Sequence, residues 1–181
     1  MRIVAGKFAG RDLVSPQGNR VRPTAEAVRS TMLDMLSADI PRARVLDLFA
    51  GTGALGLEAI SRGASYVDFV EFGPDSLHSL RANIARLRLL KNTRVYKKDA
   101  LPFAAALEAN KYDIAFVDPP YGSRMLDRVI DSWKLKRFSK ILAVEHSADH
   151  DLPRGEVQRV FEDTAITIYR LPALPAPPKE E

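Results

Sequence analysis

Apolar residues in this chain fall into short blocks whose spacing switches between two periods. Short blocks rich in apolar and β-branched positions predict buried strands at Ala43 to Leu48, Tyr66 to Glu71, Thr93 to Lys97, Tyr112 to Val117 and Lys140 to Glu145. Between them, apolar residues recur every three or four positions. Ala54 to Ser61, the stretch carrying Leu77, Leu80, Ile84 and Leu87, Pro102 to Ala109, and Met125 to Trp133 are therefore predicted helices. An earlier helix is expected to start near Thr24, capped by its hydroxyl, with Val28, Met32 and Leu36 on one face and Pro41 as its stop. Val157 to Phe161 and Ala165 to Arg170 read as a closing antiparallel pair. At the N-terminus, two short extended stretches flank a turn-prone Gly6 to Gly10 and predict a hairpin.

Strands separated by helices at this frequency predict an α/β fold: an open, mostly parallel, seven-stranded sheet with helices on both faces. The expected organisation is an N-terminal basic arm or hairpin over 1–22, a single α/β domain over 23–171 and a disordered Pro-rich tail over 172–181. In such sheets ligands bind where strands end, on the C-terminal side.

Composition narrows the function classes. Within 181 residues there is no cysteine, so disulfides, thiolate metal sites and cysteine nucleophiles are excluded. That composition suits a reducing cytoplasm. No metal site is predicted, and no stretch approaches the ~20 apolar residues that span a membrane. The net charge is +4. Its placement says more than its size: Arg2, Lys7, Arg11, Arg20, Arg22 and Arg29 crowd the first thirty residues, and Lys134, Lys136, Arg137 and Lys140 form a second group. These cations read either as solvated surface or as a phosphate-binding face for nucleic acid.

The candidate chemistry lies at the predicted strand ends. Asp47-Leu48-Phe49-Ala50-Gly51-Thr52-Gly53 follows the first strand, and its glycines let backbone approach a ligand closely. Alone, this pattern fits a plain tight turn, a dinucleotide site or another nucleoside cofactor. Glu71 ends the next strand, 20 residues after Gly51, where a carboxylate can accept both hydroxyls of a ribose. Asp99 follows the third strand, positioned either to meet an adenine amine or to cap the next helix. Asp47 lies beside the glycines, and an acid there repels pyrophosphate but attracts the sulfonium and amino group of S-adenosylmethionine. The fourth strand runs into Asp118-Pro119-Pro120-Tyr121. Two prolines remove donors and leave carbonyls outward. Asp118 and the Pro119 carbonyl can accept the N–H hydrogens of an aromatic amine, and Tyr121 can stack on its ring; the alternative is a rigid turn with no chemistry. A base reaching such a pocket must be unpaired or flipped out. Arg20, Arg22 and Arg29 then become candidates for the flanking phosphates.

Taken together, RIVAGKFAGRDL, RPTAEAVRSTMLDML, VLDLFAGTGALGLEAISRGA, VEFG and FVDPPY resemble the bacterial small-subunit (16S) rRNA guanine-N2 methyltransferase family over roughly residues 2–170. The resemblance implies S-adenosylmethionine as cofactor, held by Asp47, Phe49, Ala50, Gly51, Thr52, Gly53, Glu71, Asp99 and Asp118. It implies a target guanine held by Asp118, Pro119, Pro120 and Tyr121. RNA contacts are implied at Arg22 and Thr24 and along the basic arm, on Arg2, Lys7, Arg11, Arg20 and Arg29. The implied partner is 16S rRNA within the small ribosomal subunit, and the chain is expected to act as a monomer. Ala5-Gly6 stands where members often carry Gly-Gly.

Three rivals share parts of the pattern. An adenine-N6 methyltransferase usually carries Asn rather than Asp at the first position of the motif and, on DNA, a target-recognition domain. A nicotinamide-dependent oxidoreductase needs a catalytic constellation that His78, His146 and His150 do not suggest. A ribosome assembly factor without turnover has no need of an intact glycine loop, Glu71 and DPPY together.

Overall fold

The structure is a computed structural model, described here for residues 1–16, 23–120 and 124–172. Seven strands, β1 (Arg44–Leu48), β2 (Tyr66–Glu71), β3 (Thr93–Lys97), β4 (Tyr112–Val117), β5 (Ser139–Ser147), β6 (Val157–Val160) and β7 (Thr164–Arg170), form one sheet of order β3-β2-β1-β4-β5-β7-β6. The first five run parallel, while β7 is antiparallel to both β5 and β6. The α/β sheet predicted from the sequence is therefore present, with an antiparallel closing pair.

Five helices cover the sheet: α1 (Pro23–Met35), α2 (Ala54–Ser61), α3 (Pro74–Arg86), α4 (Ala100–Ala105) and α5 (Met125–Lys136). The central strands are apolar at nearly every position because both of their faces are buried. Val45, Phe116 and Ala143 point into a core with Val28, Met32, Leu57 and Ile84. Leu46, Val117 and Leu142 point the other way, into a core with Ala104, Val129 and Trp133. Helices α1, α2 and α3 thus cover one face, and α4 and α5 the other.

Local chemistry moves several boundaries. Helix α1 begins at Pro23, so Thr24 lies inside the first turn and does not take the cap position. Proline suits that place, since its missing N–H would lack a helical partner anyway. Helix α4 starts at Ala100, ahead of the predicted Pro102, because Asp99 accepts the Leu101 N–H at 2.9 Å and caps it. Helix α5 runs one turn past Trp133, to Arg137, which closes it at φ 51°. Strand β5 extends to Ser147 through its ladder with β7.

The N-terminal segment is a docked hairpin, not a free arm. The Ile3 N–H bonds the Arg11 carbonyl at 3.0 Å, and the Gly10 N–H bonds the Ile3 carbonyl at 2.9 Å. Ile3 and Leu13 lie in the main core. Gly6, at φ +81°, passes so close to α2 that an added Cβ would meet the Ser61 carbonyl oxygen at 2.0 Å. Tail residues 173–181 lie outside the described residues.

Candidate functional site

Chain order reverses between β1 and β4, which pair directly with Leu48 opposite Val117. A crevice must open where the connections from these two strands depart in opposite directions. It does: a cavity of ≈ 750 Å³ is lined by Phe49, Gly51, Glu71, Asp99, Asp118 and Pro119, among others. A smaller one of ≈ 240 Å³ continues beneath the glycine loop, between Asp47, Ala50, Thr52, Asp118, Glu145 and Arg29. Phe49, Gly51, Ser76, Asp118 and Glu145 line both cavities.

The loop between β1 and α2 is held in left-handed backbone. Phe49 sits at φ 61°, Gly51 at 55° and Gly53 at 81°. A non-glycine residue there costs of order 1–3 kcal/mol, and such strain gathers at ligand sites. Gly53 also abuts the core, where a Cβ would lie 2.4 Å from Leu80 Cδ1. The loop is braced from both sides. The Ala50 N–H bonds the Val70 carbonyl at 3.0 Å. Asn83, fully buried, donates to the Thr52 carbonyl at 3.0 Å and grips both backbone groups of Val14. One side chain thus ties the N-terminal hairpin to the glycine loop.

The acids divide their work between backbone and cavity. Asp47 is buried and accepts the Gly56 N–H at 3.0 Å, bracing the first turn of α2. Burial pushes its carboxyl up to about 7, against the Gly56 hydrogen bond and with help from Glu71. Glu71 accepts three backbone N–H groups: Gly51 at 2.7 Å on Oε2, and Phe72 at 2.8 Å and Gly73 at 2.6 Å on Oε1. A carboxylate has about four acceptor sites. One remains, so Glu71 can take one ribose hydroxyl while it holds these loops, rather than both. Asp99 caps α4 through Oδ1 and also lines the large cavity, so the two roles weighed for it are compatible.

Asp118 directly follows β4, and its half-buried side chain lines both cavities. Burial, then Glu145, then Asp47 push its carboxyl well above the ordinary carboxylate range. Glu145 escapes the motif-based reading of the sequence. The register that sets Val117 opposite Val144 makes Asp118, just past β4, a neighbour of Glu145, near the end of β5. The signal was an acid at the end of a predicted strand, in the place equivalent to Asp118. Asn83 escapes it too; nothing in its helical sequence context marks its reach to two distant loops. Pro119 and Pro120 follow Asp118, one buried and one exposed. Tyr121 lies outside the described residues.

The expected RNA contacts separate into groups. Arg2 and Arg11 are exposed on the hairpin, and Arg2 Nε pairs with Asp12 at 3.0 Å. Lys7 is exposed, but its N–H bonds the Ser61 carbonyl at 2.7 Å, at the end of α2 remote from the cavity. Arg29 corrects the expectation. It is buried at 5% exposure and pairs with Glu58 at 3.0 Å, so it cannot reach a phosphate on the surface. Lys134, Lys136 and Lys140 lie at the foot of α5 and β5, at the opposite end of the sheet from the site. Arg20 and Arg22 lie outside the described residues, as does the Thr24 side chain. The histidines are structural or exposed: His146 is buried between Ser147 and Thr167, His150 faces Asp127, and His78 is on the surface.

Fold and site together define the class: an α/β methyltransferase with its glycine loop and its Asp118-Pro119-Pro120 turn leaving adjacent strands. Residues 1–165 match the family model described as conserved hypothetical protein 95. The ribosomal RNA small subunit methyltransferase D of Escherichia coli K12 is 38% identical over 156 residues, covering 84% of this chain and 78% of that protein. The Haemophilus influenzae protein of the same name is 30% identical, covering 94% of this chain and 92% of its own length. Among solved structures, Escherichia coli yhhF superposes with a TM-score of 0.82 at 32% identity, covering 94% and 97% of the two chains. The Thermus thermophilus 16S rRNA N2 G1207 methyltransferase, solved with AdoMet and guanosine, shares the fold at TM-score 0.67 and 18% identity, over 85% of this chain and 44% of that one. The chain belongs to this bacterial family of small-subunit rRNA methyltransferases.

Proposed function

We propose that this protein methylates the exocyclic N2 amine of a guanine in 16S rRNA, within the small ribosomal subunit, using S-adenosylmethionine. One observation carries the reading: Asp118 and the glycine loop leave neighbouring strands and open onto one cavity. The donor set fits the cofactor. Glu71 keeps one acceptor for a ribose hydroxyl, Asp99 stands at the wall for an adenine amine, and acids outnumber cations around the loop. Asp47, Asp118 and Glu145 form an acidic floor that favours a cationic ligand, and a cation there offsets the burial that raises the first two carboxyls.

When bound, the cofactor supplies a methyl group on a positively charged sulfur. The rest of the work falls to the chain. The amine of guanine is a poor nucleophile because its lone pair is delocalised into the ring. Asp118 and the Pro119 carbonyl accept its two N–H hydrogens, which orients the nitrogen and returns electron density to it. The amine becomes acidic as its new bond forms, and it sheds one proton to Asp118, to Glu145 or to water. No strong base is required. Tyr121 is the residue we assign to stacking on the base. Asp at the motif's first position supports guanine over adenine. The absence of cysteine fits a cytoplasmic site of action, where the protein works as a monomer.

Labelled methyl transfer tests the proposal. Small subunits from cells lacking this protein are compared with naked 16S rRNA and with DNA, and the modified nucleoside is identified. N2-methylguanosine in the subunits is the expected product. N6-methyladenosine, or no transfer to any of the three, would overturn it.

A further inference from the structure

Arg29 was expected on the RNA face and is found inside the protein. Nε donates to Glu58 Oε2 at 3.0 Å and Nη2 to the Arg2 carbonyl at 2.6 Å. Glu58 is fully buried and is shared with Arg62. The guanidinium is thereby fixed in place by two anchors. Its remaining nitrogen, Nη1, makes no hydrogen bond among the described residues, and Arg29 lines the smaller cavity beneath the glycine loop. A buried guanidinium with one donor group unused among the described residues, at the wall of a cavity, points to an anionic partner in that cavity.

The charges around the cavity specify what that partner is. Asp47, Asp118 and Glu145 stand on the floor, and Arg29 is its buried cation. A simple anion would be repelled by the acids, and a simple cation would leave Arg29 unanswered. An amino-acid zwitterion satisfies both, with its ammonium toward the acids and its carboxylate toward Arg29. We propose that Arg29 receives the α-carboxylate of the amino-acid end of S-adenosylmethionine. This rests on the reading of that molecule as the cofactor. It also accounts for the hairpin docking: the Arg2 carbonyl, supplied by the hairpin, is one of the two anchors that aim Arg29. The geometry favours arginine over lysine, because a single ammonium cannot hold Glu58, the Arg2 carbonyl and a ligand from fixed directions.

Calorimetry with two ligands tests this on the unmodified protein. S-adenosylmethionine and its decarboxylated form differ only in the carboxylate, and the decarboxylated form carries more net positive charge. The acidic floor alone would make it the tighter ligand. With Arg29 in the proposed role, it binds about 10- to 100-fold more weakly. In Arg29→Lys and Arg29→Gln that preference falls to within about threefold. A second measurement needs no substitution. In nitrogen-labelled wild-type protein, the guanidinium signal of a buried, slowly exchanging arginine is expected to shift with S-adenosylmethionine and to stay in place with the decarboxylated form. Equal binding of the two ligands, a preference retained in both variants, or an unmoved arginine signal would each overturn the role of Arg29 and leave the cofactor reading intact. Failure of the wild type to bind either ligand would overturn the cofactor reading itself.

Discussion

Asp47 brings together two conflicting requirements. Its carboxylate braces α2, yet burial lifts its pKa from 3.8 to about 7. Between those two values the folded chain holds a proton that the unfolded chain has lost. Stability therefore falls as pH climbs through that window, and levels off above it. Asp47→Asn keeps an acceptor for the Gly56 N–H and removes the buried charge. It is expected to stabilise the protein by about 2–4 kcal/mol at pH 8, the gain vanishing as pH drops toward 4; denaturant titrations across that range measure it. The same proton opposes a cationic ligand, so affinity for S-adenosylmethionine should weaken as pH falls below about 7, which calorimetry at several pH values will register. Asp118 has a different task. Asp118→Ala should lower kcat at least ~100-fold while changing cofactor affinity less than ~5-fold. A variant turning over at near wild-type rate would remove Asp118 from the chemistry.

At the scale of elements, most of the sheet was legible because its central strands are buried on both faces and so read as short, predominantly apolar blocks. Strands β2, β3 and β4 fall where the pattern sets them. Their mutual order was not in the pattern, but the adjacency of the glycine loop and DPPY was anticipated from their shared chemistry. What the sequence concealed depends on contacts distant along the chain. Arg29 looks like its exposed neighbours until Glu58 meets it across the α1–α2 interface. The backbone of Gly6 and Lys7 packs on the foot of α2, a contact that no local pattern announces. Glu145 gains meaning only from the register of β5 against β4. Two substitutions probe how elements position the site. Gly53→Ala combines left-handed backbone with a clash against Leu80 and should destabilise the protein by about 2–4 kcal/mol. Asn83→Ala leaves the backbone of Val14 and Thr52 without its partner, at about 1–3 kcal/mol, and should weaken cofactor binding as the loop loosens; paired unfolding and binding measurements separate the two effects.

For the whole molecule, the sheet sorts charge by end. The carboxylates of the site stand at the C-terminal strand ends, while Lys134, Lys136 and Lys140 stand toward the opposite end of the sheet, at the far end of an α5 about 18 Å long. RNA gripping the site end should ignore that distant group. Neutralising Arg20 and Arg22 is expected to lower the slope of log K against log salt by ~0.7–0.9 for each phosphate left without its cation, whereas neutralising Lys134 and Lys136 should leave it unchanged. Salt titrations of RNA affinity distinguish these outcomes. The clasp made by Asn83 has a consequence at this scale as well. Hairpin and glycine loop share the Asn83 amide, which couples the mobility of one to that of the other. For RNA seated on the hairpin, as proposed, thermodynamic reciprocity sets the exchange: any factor by which it changes affinity for the methyl donor must equal the factor by which the donor changes affinity for RNA.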